Sequence, residues 1–285
     1  MTSYELFIGS EAVKSGTLRK HQLRSRFRRV LPDVYAPRDH RLTMRDRTMA
    51  AWLWSQRQGV LASLTAAAWH GSKWVDERLP IELVWSNARP PRGVRTYDMT
   101  LLPGEAQMVA GVRVTTPRRT AFDIGSRQPT GTAVAHLDAL MRATGTKVGE
   151  VREVADHHRG ARGLRQLETA LDLVDPGAQS PKETWLRLLL IRAGLPRPTT
   201  QIPVMAANAA QVYHLDMGWE DLMVAVEYDG EHHRLDRWQY TRDIHRREAL
   251  DRLGWIVIRV IASDRPADVI GRVRDALQFR ASSLK

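Results

Sequence analysis

Two runs that otherwise read as buried strand, residues 212–217 and 222–228, carry carboxylates inside them. Asp216 interrupts the first and Glu227 the second; Asp229, His232 and His233 follow directly. Asp and Glu are depleted in strands, and an unpaired buried carboxylate is expensive. Side chains alternate along a strand, so Glu227 and Asp229 are predicted to share one face, with Val224, Val226 and Tyr228 on the other. Asp216 is predicted to face away from Leu215 and Met217. Adjacent strands would then present carboxylates together, a set suited to a hard divalent cation such as Mg²⁺ (or Mn²⁺). A sheet with one solvated face accounts for any single acid here, whereas three acids beside a histidine pair favour a site.

The chain has 285 residues, enough for two or three domains with a sizeable core. Its 43 Lys and Arg outnumber 32 Asp and Glu, a formal net charge of +11 that favours a polyanionic partner, most simply nucleic acid. There is no cysteine, which excludes disulfides and thiolate zinc sites. No apolar run reaches membrane-span length, and the N-terminus lacks the order of a signal peptide. A cytoplasmic protein without membrane contact is expected.

Three segments are predicted, together an α/β (α+β) chain. Residues 1–42 read as a winged-helix-like DNA-binding module: a helix capped by Thr17 after Gly16, then a hairpin over 28–36 turning at Pro32 and Asp33. Arg19, Lys20, Arg24, Arg26, Arg28 and Arg29 crowd this segment, with Lys14 before them and no acid among them. Such cations would neutralise several phosphates and make binding steeply salt-dependent. Residues 43–175 read as mixed α/β, with strands over 81–85 and 94–101 and a strand end at Thr115 passing into a helix at Pro117. After the break at Asp175, Pro176 and Gly177, residues 176–285 read in the order α-β-β-β-α-β-α. Their first helix is capped by Ser180, with Pro181 at its first position and Glu183 in its first turn. Asp243 and Arg247 read as an i,i+4 ion pair on the later helix, while Arg242, Arg246 and Arg259 are candidates for phosphate contact or for a solvated face.

The string Leu215, Asp216, Val226, Glu227, Tyr228, Asp229, Gly230, His232, His233, Asp243, Arg247, Leu253, Gly254, Trp255 and Arg259 resembles the PD-(D/E)xK nuclease superfamily. More narrowly, residues 180–262 resemble its very-short-patch-repair-like domain, with a restriction-endonuclease-like core. The resemblance implies Mg²⁺-dependent phosphodiester hydrolysis, an endonuclease acting on DNA in preference to RNA. Asp216 and Glu227 would then be the principal metal ligands and Glu183 would hold a metal-bound water. Asp229 stands where the superfamily has its lysine. His232 and His233, or else Lys182, would have to replace it as the base.

A second resemblance rests on Phe27-Arg28-Arg29-Val30-Leu31-Pro32-Asp33-Val34-Tyr35-Ala36, on Leu64-Thr65-Ala66-Ala67-Ala68-Trp69-His70-Gly71, and on Val114 through Asp123 with Pro117, Arg118 and Arg119 inside it. These segments resemble the AbiEi-type antitoxin and regulator family, which implies a winged-helix module ahead of a mixed α/β domain. Two functions therefore compete. One is a metal-dependent nuclease anchored by its basic N-terminal region. The alternative is a non-catalytic DNA-binding transcriptional regulator or antitoxin of a toxin–antitoxin or phage-defence pair, with a protein partner or a second copy of itself.

Overall fold

A computed structural model describes residues 6–87, 89–206, 211–230 and 237–283, with side chains from Asp243 onward in the last stretch. His232 and His233 lie outside the described residues. The chain divides into two compact units, Met1–Leu171 and Asp172–Lys285. The class is mixed α/β, as expected.

The first unit opens with a three-stranded antiparallel sheet in the order β1-β3-β2, from β1 (Phe7–Ile8), β2 (Phe27–Leu31) and β3 (Val34–Pro37). Helices α1 (Gly9–Lys14) and α2 (Lys20–Arg26) fill the connection from β1 to β2. Pro32 and Asp33 make the hairpin turn, Asp33 with a left-handed φ of 60°. The Asp33 carboxylate accepts from the Ser10 N–H (3.0 Å), which ties the turn to the start of α1. Gly9 has no alternative there, because a Cβ would stand 2.4 Å from the Tyr35 ring. Ala12, Leu18, Leu23 and Phe27 form the small core, and Phe7 meets Phe27 edge-on at 4.9 Å.

The second helix starts later than the sequence suggests. Thr17 Oγ1 lies 2.8 Å from Ser15 Oγ, and Leu18 is drawn into the core. Gln22 Oε1 instead accepts from the Arg19 N–H at 2.8 Å, so the helix begins at Lys20.

A five-stranded mixed sheet follows, in the order β6-β5-β4-β8-β7. Its strands are β4 (Val60–Leu61), β5 (Ile81–Val84), β6 (Val94–Tyr97), β7 (Ala106–Val109) and β8 (Val112–Thr115). Helices α3 (Met44–Trp54), α4 (Ser63–Trp69), α5 (Pro117–Arg127), α6 (Thr130–Thr144), α7 (Val148–His157) and α8 (Leu164–Leu173) complete the run to the second unit. Thr43 and Asp46 cap α3 reciprocally, with Asp46 Oδ2 accepting from the Thr43 N–H and Thr43 Oγ1 from the Asp46 N–H.

The second unit contains α9 (Pro181–Arg192), β9 (Thr199–Met205), β10 (Val212–Trp219), β11 (Val224–Tyr228), α10 (Arg237–Arg252), β12 (Ile256–Val260) and α11 (Pro266–Ser283), in the expected order. The sheet runs β12-β11-β10-β9; β10 is antiparallel to both neighbours, and β11 and β12 are parallel. Pro203 sits inside β9, an edge strand and therefore the place that tolerates a missing N–H.

One core joins α9 and α11 to the sheet through Leu186, Leu190, Met217, Val224, Val226, Val260 and Val273. The other joins α10 through Ile202, Leu215, Ala225, Leu250 and Trp255. Strand β11 is thus buried on both sides. Gly218 is required where β10 meets β11, since a Cβ would stand 2.3 Å from the Val224 carbonyl oxygen.

Gly218→Ala is therefore expected to lower the denaturant midpoint of the second unit. Gly271→Ala, on α11 with open space around its Cβ position, should instead gain about 0.5–1 kcal/mol. Urea unfolding followed by circular dichroism measures both.

Candidate functional site

The simple alternation predicted for β10 breaks at Asp216. Leu215 packs in the α10-side core and Met217 in the opposite one, so these two residues do not share a face. The β9–β10 pairing skips between Leu215↔Ile202 and Met217↔Thr200, where Gln201 takes a left-handed φ of 52°. Pairing of β10 with β11 stops at Met217↔Val226. Beyond that point the Asp216 carboxylate itself accepts the Tyr228 N–H at 3.0 Å, taking over a ladder bond that the splayed strands no longer make.

The acids expected to meet a cation are near one another, yet each is already engaged. Glu227, 7% exposed, is held in a two-pronged pair by Arg246 from α10: Nη1 stands 3.0 Å from Oε2, and Nη2 donates to Oε1. Arg246 Nη2 also donates to the His214 carbonyl at 2.8 Å. Glu183 turns back on its own helix, accepting from the Gln179 N–H (2.8 Å) and the Ser180 hydroxyl (2.9 Å), while Ser180 Oγ accepts from the Glu183 N–H. That reciprocal cap gives the first-turn acid a local role. Asp229 is half-exposed, 3.8 Å from Arg259 Nη1. Lys182 lies with its Nζ 5.7 Å from the centre of the Tyr228 ring, and α10 turns Arg246 inward while Arg247 stays exposed. The ion pair anticipated between Asp243 and Arg247 gives way to this arrangement, with Asp243 and Arg246 lining the same pocket.

Among the described residues, no group of three or more His, Asp or Glu is placed to hold a metal ion. Mg²⁺ needs free carboxylate lone pairs that, with water, complete a near-octahedral array. The oxygens of Glu227 and Glu183 are committed elsewhere, so the expected ligand set does not fit such an ion as it stands.

Asp216 is pushed up to about 7, first by burial, then by the Glu183 and Glu227 charges, against the Tyr228 N–H and Arg246. Between the ordinary carboxylate range and about pH 7 the folded chain binds a proton that the unfolded chain has released. Stability should therefore fall as pH rises through that window. Asp216→Asn keeps an acceptor for Tyr228 and removes the titration. Its melting temperature is expected to exceed that of the unmodified chain at pH 8, with the gap closing towards pH 4; a gap independent of pH would refute this account.

A second buried ionic cluster, missed in the sequence, lies in the first unit. Arg119 is 2% exposed and pairs with Glu105 and, through Nε at 3.2 Å, with Asp123 Oδ1. Arg127 reaches the same Asp123 oxygen at 3.1 Å, and His158 Nε2 lies 2.6 Å from Glu105 Oε1. Burial pushes the Asp123 carboxyl up against the pull of Arg127 and Arg119. The i,i+4 spacing of Arg119, Asp123 and Arg127 was the available signal; Glu105 and His158 are distant in sequence. Removing one partner strands buried charge, so Arg119→Met is expected to cost about 3–5 kcal/mol in urea unfolding.

The exposed cations of the N-terminal module are gathered as expected. Arg19, Lys20, Arg24 and Arg26 lie on or beside α2, and Arg29 on β2, all exposed. Arg28 is half-buried and donates to the His40 carbonyl at 2.7 Å. Arg38 closes the end of α2 by donating to the Ser25 and Arg24 carbonyls at 3.0 and 2.6 Å. No helix among the described residues is long and apolar enough to cross a membrane.

Residues 58–175 match the family described as the AbiEi antitoxin C-terminal domain. Uncharacterized proteins from Mycobacterium tuberculosis strains CDC 1551 / Oshkosh and ATCC 25618 / H37Rv are each 28% identical over 176 residues, 62% of this chain and 64% of their own length. The chain thus spans less than two thirds of these relatives. No solved structure matches. The family match overturns the expected Mg²⁺-dependent endonuclease, because an antitoxin domain points to a non-enzymatic regulator. The resemblance of residues 180–262 to a repair endonuclease draws no support from these comparisons. Residues 58–175 are similar to an antitoxin domain, and the second resemblance is supported over that span.

Proposed function

We propose that this chain is a non-catalytic, DNA-binding regulator of antitoxin type, which holds duplex DNA through its N-terminal module and acts with a protein partner. The observation that carries the reading is the match of residues 58–175 to the AbiEi antitoxin C-terminal domain. The electrostatics of the preceding residues support it. From Ala12 to Pro32 the chain has no acid, and its cations cluster on α2 and the adjoining wing. The flanking Glu11 is taken by Arg57, with oxygens 2.6 and 2.7 Å from its two terminal nitrogens.

The helix α2 has seven residues, a length of about 10 Å. Two turns offer few side chains to base edges, so the module is suited to gripping the phosphate backbone more than to reading a long sequence. Arg24, Arg26 and Arg29 are the side chains assigned to phosphates.

Fluorescence anisotropy with a labelled duplex over a salt series tests this. The logarithm of affinity should fall linearly with the logarithm of salt concentration, and each of Arg24→Ala, Arg26→Ala and Arg29→Ala should reduce the slope by about 0.9. A slope unchanged in the triple variant would remove this module from the DNA interface.

A further inference from the structure

The pocket bounded by β10, β11, β12 and α10 gathers Asp216, Glu227, Asp229 and Asp243, and it brings its own cations, Arg259 beside Asp229 and Arg246 beside Glu227. Arg246 is anchored at two points. Its guanidinium grips both oxygens of Glu227 on β11, and Nη2 also holds the His214 carbonyl on β10. These contacts lie just past the last paired residues of β10 and β11, Met217 and Val226. The guanidinium therefore bridges the two strands where their own ladder has ended, next to the single bond from the Tyr228 N–H to Asp216.

We propose that Arg246 stands where a divalent cation would otherwise sit, and that the second unit is a metal-independent domain whose acidic pocket is closed by this internal counter-ion. The argument is one of competition for lone pairs and charge. A planar fork matches a carboxylate in a way a spherical ion does not, and it arrives already tethered to the chain. A metal would have to displace a guanidinium that also carries a backbone hydrogen bond, and would leave that largely buried arginine without its carboxylate partner. Glu183, expected to hold a metal-bound water, is withdrawn into the cap of α9. This inference is independent of the DNA-binding reading, which rests on other residues.

The test is Mn²⁺ binding to the full chain, by isothermal titration and by the paramagnetic signal of free Mn²⁺, together with melting temperatures in Mn²⁺ and in EDTA. The unmodified chain should take up no Mn²⁺ at this pocket and melt at the same temperature in both. Arg246→Ala should melt lower, gain one bound Mn²⁺ that raises its melting temperature, and lose that gain when Asp216→Asn is added. Uptake by the unmodified chain that weakens in Asp216→Asn or Glu227→Gln would overturn the proposal. So would a folded Arg246→Ala that melts like the parent or binds no Mn²⁺. Should Arg246→Ala fail to fold, Arg246→Lys retains charge without the fork. A lowered melting temperature there supports the bridging role, and an unchanged one overturns it.

Discussion

A carboxylate on a strand covered on both sides has to meet a cation or be neutral. Strand β11 imposes that condition on the second unit, because Val224 and Val226 face one core and Ala225 the other, leaving Glu227 largely shielded from bulk water. Arg246 answers it, and much of the local geometry follows from its reach. Helix α10 must run so that position 246 faces the sheet, and His214 must offer its carbonyl to the same guanidinium. Desolvation of such a pair offsets most of its attraction, so its worth lies less in net stability than in the large penalty for any arrangement that separates the partners.

The first unit answers the same problem in the same way. Arg119 lies against Glu105 and Asp123, with Arg127 and His158 at the margins. Both clusters use arginine, whose charge persists at any physiological pH and whose planar donors serve several acceptors at once. Each links distant stretches of chain: residues 105, 119 and 158 in one, 214, 227 and 246 in the other. Apolar contacts alone leave more freedom to slide, whereas a fork on a carboxylate has one good geometry.

The order of elements in the second unit was legible because its signals are local. Ser180 and Pro181 mark a helix start, and β11 reads as apolar almost throughout. The hairpin turn at Pro32 and Asp33 was legible for the same reason. The β7–β8 hairpin was mostly missed: Gln107, Met108 and Arg113 are exposed, and its Ala110–Gly111 turn, with φ of 49° and 78°, follows no Asn-Gly signature. The flip at Asp216 was illegible, since it depends on Gln201 across the sheet. That Arg246 and not Arg247 turns inward depends on how α10 is rotated, which spacing within one helix does not set. The acids were correctly singled out as unusual, but a strand pattern shows an acid's need for a cation without showing whether a metal or an arginine meets it.

The proline within β9 bears on how the chain avoids its own copies. Pro203 lies within the edge strand of the four-stranded sheet, opposite His214. A strand from another molecule laid along that rim would find a donor missing partway along. One imino acid thus gives the chain some protection against edge-to-edge aggregation.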